Sequence, residues 1–145
     1  MIALLQRVTE ASVRVDGEPI ATIGRGLLVL VAVHRDDGEA DIGRMAERIL
    51  TYRVFPDAAG RMNRSISDEG LSLLLVPQFT LAADTGKGTR ASFTRAASPE
   101  VGERYFSGLV LACRKSLATV ESGRFGANMQ VSLTNDGPVT FWLET

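Results

Sequence analysis

Two short polar stretches are the places where this chain could do chemistry: Gln78-Phe79-Thr80 and Asn135-Asp136-Gly137-Pro138-Val139-Thr140. Gln78 and Thr80 come directly after Leu71–Val76, a run that is apolar apart from Ser72 and reads as a buried strand stopping at Pro77. Hydrogen-bonding side chains at the end of a rigid, buried support are well placed to hold a substrate. A strand end tied off by its own hydrogen bonds is the plainer reading. Gly137-Pro138 is a turn signal set in front of another strand. A cis bond there would turn two neighbouring carbonyls the same way, and such a pair can capture an ammonium group with no side chain involved.

The remaining inventory of reactive groups is thin. The single histidine, His34, stands at a strand end beside Arg35 and two aspartates, where a solvated turn residue is the ordinary role. With no second histidine and no cysteine cluster to complete a site, neither a metal nor a cofactor is expected. Cys113 falls on the apolar face of a helix, where a buried thiol is inert by default. Gly86-Lys87-Gly88-Thr89 imitates a phosphate-binding loop but lacks the glycine at Leu81 and the hydroxyl residue at Gly88. A basic loop touching backbone phosphates through Lys87, Arg90 and Arg95 is one reading, and a merely solvated loop the other.

The elements that must position these corners follow from pattern. Ile2–Val8 reads as a strand. Ser12–Val15 and Pro19–Ile23 read as a hairpin around Asp16-Gly17, and Leu27–Val33 as a strand buried on both faces. Asp36-Asp37-Gly38 opens a helix with Ile42, Met45, Ala46, Ile49 and Leu50 on one stripe. Residues 53–55 are short and extended, and 58–70 read as loop. Residues 83–93 have the composition of a mobile loop. Ser98-Pro99 starts a second helix, with Val101, Tyr105, Leu109, Ala112, Cys113 and Leu117 inward. Val120–Gly123, Val131–Leu133 and Val139–Leu143 complete the strands, predicting an α+β (layered α/β) fold with a strongly curved sheet.

Length and composition bound the rest. A chain of 145 residues is read as one domain, 1–145, with a real core. No apolar run approaches a membrane helix, the N-terminal stretch does not read as a signal peptide, and one cysteine fits a reducing cytoplasm. A net charge of −1 argues against coating nucleic acid, but leaves room for gripping a single nucleic-acid end through a local patch.

The chain resembles the D-aminoacyl-tRNA deacylases over essentially its full length. The matching pieces are LLQRVTEASVRVDG at Leu4–Gly17, IGRGLLVLVAV at Ile23–Val33, YRVFPDAAGRMNRSI at Tyr52–Ile66, LLVPQFTLAADTGKGTRASF at Leu74–Phe93 and SGRFGANMQVSLTNDGPVTFWLE at Ser122–Glu144. The resemblance implies a barrel-like core of curved, mainly antiparallel sheets with two long helices outside. It also implies a cytoplasmic homodimer whose sites lie at the subunit interface, acting on the 3′ end of aminoacylated tRNA. Gln78, Phe79 and Thr80 would surround the terminal adenosine and the ester, beside Pro77. Gly137, Pro138 and Val139 would enter from the partner, their carbonyls holding the substrate's amino group and leaving no room for an L side chain. Phe125 and Met129 would line the pocket, and Gln6 and Arg7 would support it. Backbone N–H groups near Phe79 and the tRNA's own 2′-hydroxyl would then carry hydrolysis, with Thr80 as nucleophile the competing proposal.

Two residues depart from the family pattern. Pro77 stands where serine is usual, as in a chirality-relaxed relative that continues Gln-Ala-Thr, and Ala91 stands where proline is usual. A non-catalytic RNA-end or small-ligand module on the same scaffold is the alternative reading.

Overall fold

The computed structural model describes residues 1–145, and it is laid out from one strand, β1 (Ile2–Val15). The first half of β1 pairs antiparallel with β3 (Gly26–Ala32), from Ile2↔Ala32 to Val8↔Gly26. Its second half pairs with β2 (Glu18–Ile23) across the tight turn at Asp16-Gly17. Along its other edge, β8 (Gln130–Glu144) follows it from Ile2↔Glu144 to Arg14↔Gln130.

Here the chain departs from the expectation of several short strands. Ile2–Val8 and Ser12–Val15 are parts of one strand, as are Val131–Leu133 and Val139–Leu143. The physical reason is a pair of register shifts, between Gln6 and Val8 and between Val8 and Glu10. The first leaves Arg7 opposite the unpaired stretch Asp136–Val139, and the second leaves Thr9 unpaired, which destroys the period-two alternation without ending either strand. The Asp136–Val139 stretch is therefore a bulge inside β8 rather than a turn before it.

The other edge of the sheet is parallel. β3 pairs with β6 (Ser72–Pro77), and β6 with β7 (Val120–Ser122), so the sheet is mixed. Both parallel connections carry a helix, as such crossovers require. They are α1 (Glu39–Thr51) and α3 (Pro99–Arg114). In α1 the Asp41 carboxylate accepts the Gly38 N–H at 2.8 Å, closing the first turn. In α3 the Ser98 hydroxyl faces the Val101 N–H, and Pro99 takes the first helical position, where a missing N–H costs nothing.

The helices bury Met45, Ile49, Leu109 and Cys113 against the odd-numbered face of the sheet, which presents Leu5, Leu27, Val29, Leu73 and Leu75. Full burial of each such aliphatic side chain contributes about 1.5–3 kcal/mol. The even face carries a second core of Leu28, Leu74 and Val76, closed by Val8, Val13, Ala21 and Ile23, so the sheet curls almost into a barrel.

The stretch read as loop, 58–70, contains more structure than its composition suggests. β4 (Phe55–Pro56) pairs with β5 (Met62–Arg64), and a single turn, α2 (Ile66–Glu69), is held by reciprocal bonds between Ser65 and Asp68. No helix is long and apolar enough to cross a membrane.

Candidate functional site

β3 and β6 end side by side, at Val31↔Pro77, and the Gln78 N–H extends the ladder by donating to the Val31 carbonyl at 2.7 Å. The chain then enters one 3-10 turn, Phe79–Ala82. The first N–H groups of such a turn, those of Phe79 and Thr80, have no acceptor within it. The Gln78 side-chain amide donates to Thr80 Oγ1 at 2.5 Å. An amide cannot take a proton from a hydroxyl at neutral pH, so this pairing orients Thr80 without activating it.

The corner forms one wall of a pocket of about 460 Å³. Val31, Val33 and Val76 supply its floor, Gly102 and Phe106 of α3 one side, and residues 125–129 the other. Two glycines admit the apolar lining. A Cβ at Gly102 would lie 3.1 Å from Phe125 Cζ, and one at Gly123 would lie 2.9 Å from Met129 Sδ and 3.3 Å from Pro77 Cδ. The sequence-predicted Pro77, Gln78, Phe79, Phe125 and Met129 are thus brought to one cavity. Gly102, Phe106 and Ala97 also line it and were not anticipated from sequence. A glycine inside an amphipathic helix, as at Gly102, was the available signal of close approach.

The Gly137–Pro138 peptide is cis, with Gly137 at φ +145°. Its bulge is held from two sides. Arg7 donates from Nε to the Asp136 carbonyl at 2.9 Å and from Nη1 to the Val54 carbonyl at 2.7 Å. Asn135 spans the other flank: its Oδ1 accepts the Val139 N–H at 2.7 Å, and its Nδ2 donates to Thr140 Oγ1 at 3.0 Å and to the Val139 carbonyl at 3.3 Å. Asn135 replaces ladder bonds that the bulge forfeits, a clamp that sequence reading took only as part of a turn. Gln6 lies between Leu28 and Thr140 in the sheet, half-buried, next to this corner.

The two corners do not meet within one chain. Gly137 and Pro138 sit on β8 near Arg7, and Gln78 lies three strands away and about five residues along, a separation on the order of 20 Å by sheet geometry. Gly137 and Pro138 are exposed and absent from the pocket lining.

The remaining reactive groups stand apart. Cys113 is fully buried in α3, and burial pushes its thiol up to about 12, the opposite of a poised nucleophile. His34 bridges to Ala96, and its Nε2 is enclosed without a hydrogen-bond partner. The loop at 83–93 is tied at its base rather than loose. Asp84 and Ser92 exchange two backbone hydrogen bonds, of 2.8 and 3.0 Å, and Asp84 also accepts the Gly86 N–H.

The pocket is apolar and ends at a backbone corner, with no nucleophile–base pair among its lining residues. Comparison with known proteins gives the family. A family model described as D-Tyr-tRNA(Tyr) deacylase matches residues 4–144, and the chain belongs to that family. Relatives named D-aminoacyl-tRNA deacylase include those of Alkalilimnicola ehrlichii, 65% identical over 99% of this chain and 96% of the relative, and Escherichia coli O1:K1, 54% identical over 99% of each. Among solved structures, one titled c-Myc DNA Unwinding Element Binding Protein is 40% identical with a TM-score of 0.95, covering 100% of this chain and 99% of its own. Another, titled as a probable eukaryotic D-amino acid tRNA deacylase, shares the fold at TM-score 0.87 and 17% identity, covering 98% of this chain and 97% of its own.

Proposed function

We propose that the protein hydrolyses the ester joining a D-amino acid to the 3′-terminal adenosine of tRNA, releasing free tRNA and the D-amino acid. In a deacylase-family chain, the observation that carries this reading is that Gln78 and Phe79 line the same pocket as Phe125 and Met129, with exposed Thr80 next in the chain. The adenosine occupies the pocket, which places the ester at the corner. Unpaired N–H groups at Phe79 and Thr80 face the oxygen on which charge develops, an interaction worth about 10²–10³ in rate per donor. Activated esters are labile, so holding this one beside water and the tRNA's 2′-hydroxyl is sufficient chemistry.

The sorting of amino acids by handedness needs the second corner, and the intrachain separation supports its arrival from another copy. A homodimer places the carbonyls of Gly137 and Pro138 against the substrate ammonium, with Val139 behind them. An open interface is supported by β8, where Trp142 is 51% exposed beside partly buried Leu4. Glycine carried on tRNA-Ala, lacking a side chain to exclude, is a further substrate on this reading, and the cytoplasm is the compartment that suits it.

The test is incubation of the protein with D-Tyr-tRNA and L-Tyr-tRNA while the ester is followed. Release from the D form with the L form spared is the expected result. Equal release of both would overturn chiral sorting, and protection of both without release would make the protein an RNA-end binding module.

A further inference from the structure

Phe79 lines the pocket, but the ring it rests on does not. Phe93 packs against Phe79 with ring centroids 5.0 Å apart, tilted by 53°, and lies outside the lining. Both rings are open to solvent, 56% and 42% exposed. Burial would ordinarily claim two phenylalanines in contact, and here it claims neither.

The backbone under Phe93 is well secured. Ser92 is paired with Asp84, the Phe93 carbonyl accepts the Ala96 N–H at 3.0 Å, and Ala97 donates to Val33 at 2.9 Å. The Arg35 side chain donates to the Thr94 carbonyl at 3.2 Å. The ring is therefore presented on a stiff support. Around it the same segment carries Lys87, Arg90 and Arg95, none of which is engaged in a salt bridge. A flat apolar face next to unpaired cations suits a single-stranded nucleotide, whose base stacks while its phosphate is neutralised.

We infer that Phe93, continuing the aromatic wall begun by Phe79, is a stacking platform for the nucleotide that precedes the terminal adenosine of the substrate, with Lys87, Arg90 and Arg95 taking its phosphates. This rests on the proposed function only for which nucleotide occupies the pocket. Phe79 bounds the pocket and Phe93 lies beyond it, so the chain leaving the pocket passes over Phe93.

The experiment uses full-length Phe93→Ala, Phe93→Leu and Phe93→Trp with two D-tyrosyl substrates. One is an RNA minihelix ending in CCA, and the other is 3′-D-tyrosyl-adenosine, which has no preceding nucleotide. Alanine and leucine should each raise KM for the minihelix by about 5- to 150-fold with kcat little changed. Leucine, which still packs on Phe79, should leave kcat/KM for the adenosine ester as in the unmodified protein, and tryptophan should behave like phenylalanine. Leucine preserves apolar packing on Phe79 without a π face, so a leucine variant as good as the parent would overturn the platform. Equal losses on both substrates would also overturn it, by reducing Phe93 to a support for Phe79. Binding of the uncharged minihelix reads the platform separately from hydrolysis. If the parent protein released no D-tyrosine, the proposed reaction would fail, yet weaker minihelix binding by Phe93→Leu would uphold the inference, and unchanged binding would end it.

Discussion

At Thr80 the choice between a nucleophile and a positioning group turns on its neighbour. The only side chain that bonds its hydroxyl is the Gln78 amide, which donates a proton and cannot remove one. On the proposed reaction, the backbone at Phe79, which opens the 3-10 turn, is the better source of rate. Phe79→Pro falls at the first position of the turn, where proline is tolerated, and it deletes one N–H. Phe79→Ala keeps that N–H and loses the ring. With D-Tyr-tRNA, Thr80→Ala should retain kcat within about tenfold, and Phe79→Pro should fall a further 10²–10³ below Phe79→Ala. Single-turnover rates check both. Near-complete loss in Thr80→Ala with tRNA binding intact would restore the nucleophile.

The elements are held in register by features of unequal visibility. At Gly26 β3 passes close to its parallel neighbour, and a Cβ there would sit 1.8 Å from the Ser72 carbonyl oxygen. Gly26→Ala must therefore push β3 from β6 at the start of the strands that carry the pocket. It should cost on the order of 3 kcal/mol or more in chemical denaturation, whereas alanine at Gly43, exposed inside α1 where a Cβ meets nothing, should stabilise by about 0.5–1 kcal/mol. Long apolar runs such as Leu71–Val76, and helices with Ser98-Pro99 at their start, were readable because local pattern and tertiary burial agree there. The continuity of β1 and β8 was not readable, because unpaired residues at Arg7, Thr9 and Asp136–Val139 erase alternation and only the facing strand restores it. α2 escaped for a different reason. Its Ser65-x-x-Asp68 cap was in plain view, but four residues offer no period to count. Pro77, Gln78 and Phe79 could be placed at a strand end from sequence, whereas Gly102 and Phe106 reach the same pocket only through the packing of α3.

For the whole molecule, one geometric fact governs the account. The backbone acceptors of Gly137 and Pro138 and the pocket corner at Gln78–Thr80 occupy different regions of the same sheet, too far apart to hold one amino acid. A second copy solves this if its β8 bulge projects into the first copy's pocket, and two-fold symmetry then builds two identical sites. Gly137→Ala disables one corner, since its Cβ would lie 2.7 Å from Val139 Cγ2 in a conformation that favours glycine. Phe79→Pro disables the other. Complementation between these two variants, each inactive alone, measures the claim most directly. Refolded together at equal amounts, half of the dimers are mixed and each mixed dimer holds one intact site. Roughly a quarter of the parent's D-Tyr-tRNA hydrolysis should return. A mixture no more active than its parts would show that each chain completes its own site, and would contradict the account.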